Sequence, residues 1–232
     1  MHRFYLPNFD RPVLEGDEAR HAKVLRLRPH EKIAVFDGNG KEAIASIKKH
    51  EPDRLLLELG EELNHPVESP LKITLVQAVG KGEKFELVVQ KAVELGVSCL
   101  VPLESKYTEV QQVDKRRSRW ERIIVEATKQ CGRRVFMKIG ATVKFDKLAS
   151  YTVPVIFFVE RGGKLLQTVL RDIATNEIVL VVGPEGGWSR QELELATAWG
   201  FNLVTLGPRT LRTETAGVVA VALVQALIGD IA

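Results

Sequence analysis

The chain has 232 residues, 45% hydrophobic and 27% charged, an ordinary globular composition with room for one or two domains and a sizeable core. Thirty-three Lys and Arg against 30 Asp and Glu leave a formal charge of +3, so bulk charge does not announce a nucleic-acid partner. Cys99 and Cys131 are too few for a disulfide scaffold and stand at no metal-ligand spacing, which fits a reducing compartment and no metal. The opening MHRFYLPNFDRP lacks the apolar run of a secretory leader. The longest apolar stretch, residues 216–228, carries Gln225 and is short of the ~18 residues a membrane span needs. A cytoplasmic protein is expected.

Up to about residue 60 the hydrophobic rhythm is short and alternating. HRFYL, KIAVFD, EAIASI and RLLLEL read as strands, with Asp37-Gly38-Asn39-Gly40 as a hairpin turn between two of them. One helix, DEARHAKVLRL, interrupts them, with Asp17 as its expected N-cap. A small β-barrel-like module fits this pattern. Residues 61–70 (EELNHPVESP) are polar, hold two prolines and read as a linker.

From Leu71 the rhythm changes to apolar strands alternating with helices. KITLVQAV is a strand, EKFELVVQKAVEL an amphipathic helix ending at Gly96, CLVPLE a strand, and RRSRWERIIVEATKQC a helix ending at Gly132. VPVIFFVE, EIVLVVG and FNLVTLG are three more strands, accompanied by the helices LLQTVLRDI, RQELELATAW and ETAGVVAVALVQALI. Continuous apolar strands alternating with helices predict a parallel sheet covered on both faces, hence an α/β domain.

Ligands of open α/β sheets bind beyond the carboxyl ends of the strands. Three such ends stand out: Phe158-Val159-Glu160-Arg161-Gly162-Gly163, Val182-Gly183-Pro184-Glu185-Gly186-Gly187-Trp188, and residues 206–216, LGPRTLRTETA. Gly183, Gly186 and Gly187 permit positive φ and close approach of a ligand to bare backbone. Ser189-Arg190-Gln191-Glu192 matches a capping box, so a helix starts just after the second loop. A tight, well-capped turn without a ligand is the bland alternative for that loop alone, and three such loops in one half favour a ligand pocket. Common nucleotide motifs fail: Gly80-Lys81-Gly82-Glu83-Lys84 is not a P-loop, no GxGxxG follows the first apolar strand, and HExxH, CxxC and GxSxG are missing.

VGPEGGWSRQE followed by LGPRTLRTETAGVVA resembles the paired C-terminal signature of the RsmE methyltransferases of the SPOUT superfamily. GKGEKFELVVQKAVELGV, WERIIVEATKQCGR, HRFY and HAKVLR are similar to the same family, and the resemblance spans essentially the whole chain. It implies a PUA-like RNA-binding β-barrel over residues 1–68 and a SPOUT methyltransferase domain over 69–232. The second would have a parallel sheet whose chain threads a trefoil knot, which general topology rules would reject. It implies a homodimer that uses S-adenosyl-L-methionine to methylate N3 of a uridine in 16S ribosomal RNA, presented in a small ribosomal subunit particle.

The resemblance assigns roles residue by residue. Gly183, Pro184, Glu185 and Gly186 would wrap the cofactor, and Leu206, Gly207 and Leu211 would form an apolar adenine pocket. Val159, Glu160, Thr215 and Ala216 complete the cofactor set. Arg212 would steady the uracil anion and Glu214 would take the imide proton. Capping is the bland alternative at that place, with Thr213 as N-cap and Glu214 near the positive helix end. For RNA the candidates are Arg3, His21, Lys23, Arg26, Arg116, Arg117, Arg119 and Arg133. From Lys106 to Lys138 ten Lys or Arg face four Asp or Glu, and Arg20, Lys23, Arg26 and Arg28 follow one another at near-helical spacing. Each run reads as an RNA-backbone footprint or as a solvated face. Two rival activities stay open: 2′-O-ribose methylation on the same fold, and a non-catalytic ribosomal RNA-binding assembly factor.

Overall fold

The computed structural model describes residues 1–80, 83–108 and 113–231. Lys81 and Gly82, from the glycine-lysine run set aside above, lie outside the described residues. The chain forms two compact units, one of residues 1–68 with 125–136 and one of 69–124 with 137–232.

In the first unit the strands are β1 (Arg3–Tyr5), β2 (Val13–Glu15), β3 (Lys32–Phe36), β4 (Glu42–His50) and β5 (Arg54–Glu62), with helix α1 (Gly16–Val24) after β2. They form one sheet in the order β1-β3-β4-β5-β2. β1 runs parallel to β3, and the remaining pairs are antiparallel. The alternation read from KIAVFD and EAIASI is that of the hairpin β3–β4, turned at residues 37–41, where the Asp37 carboxylate accepts the backbone N–H of Asn39 and of Lys41. Phe4, Leu14, Ile33, Ile47 and Leu55 are fully or almost fully buried between sheet and helix.

Two expectations need correction here. Asp17 does not cap α1: β2 runs straight into the helix, Glu15 is the N-cap without a side-chain cap bond, and Gly16 makes the turn at φ +59°. Asp17 pairs instead with Arg20 one turn on. β5 also continues to Glu62, into the stretch expected to be linker.

Residues 125–136 belong to this unit through specific bonds. The Arg3 guanidinium pairs with Glu42 at 2.6 Å, donates to the carbonyl oxygens of Thr128 (2.7 Å) and Arg133 (2.5 Å), and lies 3.9 Å over the Phe36 ring. Lys129, 8% exposed, pairs with Glu18 at 2.8 Å, and Arg133 with Glu68 at 2.8 Å. Buried cations are tolerated only when paired this closely. Phe136 packs its ring edge-on against Tyr5 and Phe36, filling the space over Gly38 where any Cβ would collide.

The second unit contains β6 (Lys72–Ala78), α2 (Lys84–Glu94), β7 (Cys99–Glu104), α3 (Arg117–Cys131, whose last residues belong to the first unit), β8 (Lys138–Ile139) and β9 (Val143–Lys144). β10 (Val155–Phe158), β11 (Lys164–Leu165), α4 (Leu166–Arg171), β12 (Glu177–Val182), α5 (Arg190–Ala198), β13 (Asn202–Thr205) and α6 (Thr213–Ile228) follow. All strand pairs are parallel, in the order β11-β13-β10-β12-β6-β7-β8 with β9 also on β7. The apolar runs VIFF, EIVLVV and KITLVQA are the central strands, buried on both faces as their unbroken hydrophobicity predicts. β8, β9 and β11 are two-residue strands that leave no periodic trace in the sequence.

The sheet is not wound in chain order. β12 separates β10 from β6, and β13 lies on the far side of β10. After β13 the chain returns to α6, which packs on β6, β12 and α2. This return brings three strand ends together.

Candidate functional site

One open cavity sits where the three strand-end loops meet. Its lining comes from the ends of β10 (Phe158, Val159, Glu160), β12 (Val182, Gly183, Pro184, Gly187, Trp188) and β13 (Thr205, Leu206, Gly207, Arg209, Thr210, Leu211), closed by Thr213 and Ala216 of α6. Its walls mix apolar side chains with polar groups in similar measure, which suits a small organic ligand that has both an apolar ring and polar edges.

The second loop is braced from several sides. Ser189 and Glu192 form the expected capping box at the start of α5, and the Glu192 carboxylate also accepts the backbone N–H of Lys106 at 3.0 Å. The Trp188 indole N–H donates to the Phe158 carbonyl at 2.8 Å, tying the second loop to the first. Trp188 also covers Gly183, where an added Cβ would come within 2.7 Å of the indole. Glu185 pairs with Lys84 on the outer side. Gly187, at φ +70°, closes the turn with its N–H on the Pro184 carbonyl.

The third loop is held near its two ends, at its start by the Thr205 hydroxyl, which donates to the Gly207 carbonyl at 3.4 Å. The Thr213 hydroxyl donates to the Gly183 carbonyl at 3.1 Å, and the Gln77 side-chain amide donates to the Thr213 carbonyl at 3.3 Å. Gln77 is completely buried, and only a glycine at 217 leaves it space: a Cβ there would stand 2.2 Å from its Oε1. Arg212, with extended backbone (φ −65°, ψ 151°), is the N-cap of α6. Thr213 is therefore not the cap, because its hydroxyl is spent on Gly183.

Of the residues expected to hold the cofactor, Val159, Glu160, Gly183, Pro184, Leu206, Gly207, Leu211 and Ala216 line this cavity. Glu185, Gly186 and Thr215 do not. The bare side of Gly186 faces Tyr107, whose Cβ would be 2.9 Å from an added Cβ, so packing accounts for that glycine. Gly207, at φ +122°, has nothing within 4 Å of an added Cβ. Trp188, Thr205, Arg209, Thr210 and Thr213 line the cavity without having been singled out for it. Each falls within the three loops or one residue from them, so reading the whole loop as lining would have found them.

Arg212 and Glu214 flank the lining residue Thr213 but are not themselves part of the wall. The Arg212 side chain is exposed and makes no ion pair among the described residues. One oxygen of Glu214 is buried with no hydrogen-bond partner among the described residues.

The basic candidates separate into two groups. Arg3 is largely buried and Arg133 fully so, and they are bound to Glu42 and Glu68, which engages both guanidinium groups within the protein. Arg117 donates to the carbonyls of Ile139 and Gly140, and Arg119 pairs with Glu83 and Glu86. His21, Lys23 and Arg26 are exposed on the first unit, with Lys23 reaching the Pro52 carbonyl. Arg116 is half-buried at the start of α3. Among the described residues no group of His, Cys, Asp and Glu could hold a metal ion, and no helix is long and apolar enough to cross a membrane.

Residues 67–225 match the family model described as an RNA methyltransferase domain, and residues 14–60 match an RNA methyltransferase PUA domain. The chain is 34% identical over 218 residues to the ribosomal RNA small subunit methyltransferase E of Synechocystis sp., covering 89% of this chain and 69% of that protein. To the protein of the same name from Aquifex aeolicus it is 33% identical, covering 92% of this chain and 93% of the relative. The crystal structure of a ribosomal RNA small subunit methyltransferase E from Neisseria gonorrhoeae, bound to S-adenosyl methionine, superposes with a TM-score of 0.90 at 37% identity, over 100% of both chains.

Proposed function

This chain belongs to the ribosomal RNA small subunit methyltransferase E family, and on that premise we propose that it transfers a methyl group from S-adenosyl-L-methionine to N3 of a uridine in 16S ribosomal RNA. The observation that carries the reading is the convergence of three strand-end loops on one cavity. Its walls fit the cofactor: apolar Leu206, Leu211 and Trp188 suit an adenine ring, Glu160 and Thr205 offer polar contacts, and Gly207 leaves backbone open to close approach. In this reading Val159, Glu160, Gly183, Pro184, Leu206, Gly207, Leu211 and Ala216 hold it directly. Glu185, Gly186 and Thr215 shape the loops behind.

The cofactor supplies an activated methyl on sulfur with a neutral leaving group, so the protein's tasks are alignment, proton removal and anion stabilisation. Uracil N3 becomes nucleophilic only when its imide proton leaves. Glu214 is proposed as the base, supported by its unpartnered buried oxygen. Arg212 is proposed to steady the charge that spreads to the uracil carbonyl oxygens, since its planar fork is exposed and unpaired among the described residues. Thr213, fixed on the Gly183 carbonyl, sets where both neighbours begin.

The PUA-like module, residues 1–68, serves as the RNA-binding part, and residues 69–232 as the SPOUT methyltransferase domain. The return from β13 to α6 is the passage at which a trefoil knot would thread. A homodimer is proposed because α6 is almost wholly apolar yet leaves Leu223 and Leu227 exposed, as α2 leaves Leu87. The working place would be the cytoplasm, on a small ribosomal subunit particle. Two experiments test the whole reading. Calorimetry with S-adenosylmethionine should show binding, and labelled methyl transfer to 16S RNA followed by nuclease digestion and mass spectrometry should show a base methyl. A ribose methyl would move the chain to 2′-O chemistry, and binding of RNA without transfer would leave an assembly factor.

A further inference from the structure

Resting on the RNA-methylating reading above, we propose that the turn at residues 25–31 of the first unit is a pre-shaped grip for the RNA phosphate backbone. Its cationic face would be Arg26 and Arg28, joined by Lys48, with the His30 ring beside them as a hydrogen-bonding group. Among the described residues Arg26 (φ 54°) and His30 (φ 70°) are the only non-glycine residues in the left-handed region. Side chains with a Cβ rarely adopt that backbone, and it persists where surrounding structure holds it, often at binding sites.

Here the surroundings do hold it. The N–H of Arg26 donates to the Lys23 carbonyl at 3.0 Å, and that of Leu27 to the Ala22 carbonyl at 3.3 Å. The N–H of His30 reaches the Ile47 carbonyl at 2.8 Å, and the Glu31 carbonyl accepts the N–H of Ile47 at 3.2 Å. Leu27 is buried in the core of the unit, while Arg26, Arg28 and His30 on either side of it are exposed. The turn therefore anchors itself by one apolar side chain and presents its cations outward. The bond from His30 to Ile47 brings the exposed Lys48 alongside. The one carboxylate within the turn, Glu31, accepts the backbone N–H of Arg28 at 2.9 Å.

Charge pairing separates this turn from five other arginines of the unit. Arg3, Arg11, Arg20, Arg54 and Arg133 are each paired with a carboxylate. Arg26, Arg28, His30 and Lys48 have no ion pair among the described residues. A polyanion can approach them without displacing a partner, and the fixed backbone removes part of the ordering cost of binding. Such contacts orient an RNA without reading its sequence.

The test is the salt dependence of binding to deproteinised 16S ribosomal RNA. Replacing Arg26, Arg28 and Lys48 together by Gln should lower the slope of log K against log salt by about 2 to 3, since each lost phosphate contact removes roughly 0.7–0.9. Affinity for S-adenosylmethionine and the melting temperature should stay where they are. A control removes the same charge from paired positions, Arg11, Arg20 and Arg54 to Gln, and should leave the slope nearly unchanged. Arg26→Asn alone keeps a side chain that tolerates left-handed backbone, so its expected loss of about 0.7–0.9 in slope cannot come from misfolding of the turn. A triple variant with the wild-type slope, or a control that lowers it as much, overturns the inference. Methyl transfer by the wild-type protein to the same RNA is measured alongside. Transfer intact with an unchanged slope removes only the grip, whereas no transfer removes the proposed function and leaves the slope to judge the turn.

Discussion

The two long loops of the cavity carry similar letters, GPEGG and GPRT, and are built in opposite ways. The loop at 183–188 is braced by neighbouring side chains: Trp188 covers Gly183, Tyr107 lies against Gly186, and the Glu192 carboxylate fastens both the start of α5 and the Lys106 backbone. The loop at 206–212 is fastened near its two ends, through Thr205 on the Gly207 carbonyl and through Thr213, and an added Cβ at Gly207 would face open space. A glycine in a signature motif is thus no proof of ligand contact. In the first loop protein atoms occupy the place of the missing side chains, and in the second nothing of the protein does.

The largest effect belongs to the open loop. If Arg212 stabilises charge that develops only in the transition state, Arg212→Ala should cut turnover by ~10²–10³ with S-adenosylmethionine affinity nearly unchanged. Arg212→Lys should recover part of the loss, because the charge returns without the planar fork. Steady-state kinetics beside calorimetry decide this, and turnover intact in the Ala variant would leave Arg212 a plain N-cap.

The packed loop should fail by collision. Gly186→Val meets Tyr107 and is expected to cost ~1–3 kcal/mol of stability as overpacking. Most of that should return when Tyr107→Gly removes the Cβ that the new side chain meets, a coupling that denaturant melts of the four proteins would reveal. If the double variant recovers nothing, Tyr107 is not the reason for the glycine.

Gly207→Ala should act the other way. Its Cβ meets no protein atom, so the stability cost is only the backbone strain at φ +122°, about 1 kcal/mol. Cofactor affinity should nevertheless fall by roughly tenfold, about 1.4 kcal/mol. Unchanged affinity in the folded variant would take Gly207 out of the contact and erase the contrast between the loops.

The smallest effect lies outside both loops, on β7. Burial holds the Cys99 thiol above its ordinary value of 9.0, with the Gly140 backbone and Lys138 pulling weakly the other way. The folded chain thus keeps this proton more tightly than the unfolded chain. The resulting stabilisation is fully present below about pH 9 and is lost as pH rises through the folded value. Cys99→Ala should flatten this alkaline limb slightly in denaturant titrations between pH 8 and 10.5. An identical limb would assign it to the tyrosines, of which Tyr151 is likewise raised by burial, with the Cys99 charge adding to it.

How far the sequence reached follows from the range of the interactions concerned. The strands, the helices of the second unit and the capping box are local, and their periodicities and cap residues declare them. The three loops were found by one rule about strand ends. The packing of Gly186 against Tyr107 is not legible in the sequence, because Tyr107 is far away in the chain and nothing in GPEGG points to it. Arg3 and Arg133 looked like an RNA footprint because a basic letter does not reveal its partner. Glu42 and Glu68 lie 39 and 65 residues away. Arg212 and Glu214 stand next to the cavity wall, as near as motif spacing alone could place them.

The Arg3 guanidinium has a consequence for the order of events during synthesis. Two of its acceptors, the carbonyls of Thr128 and Arg133, are made long after Glu42 has left the ribosome. At translation rates of about 5–20 residues per second, a wait of several seconds separates residue 68 from residue 136. Throughout that interval Phe36 and Tyr5 lack the Phe136 ring, and Glu18 lacks Lys129. The first unit therefore stays unfinished long after its five strands have been made. A nascent chain stalled after residue 68 should be more open to protease than one released past residue 136.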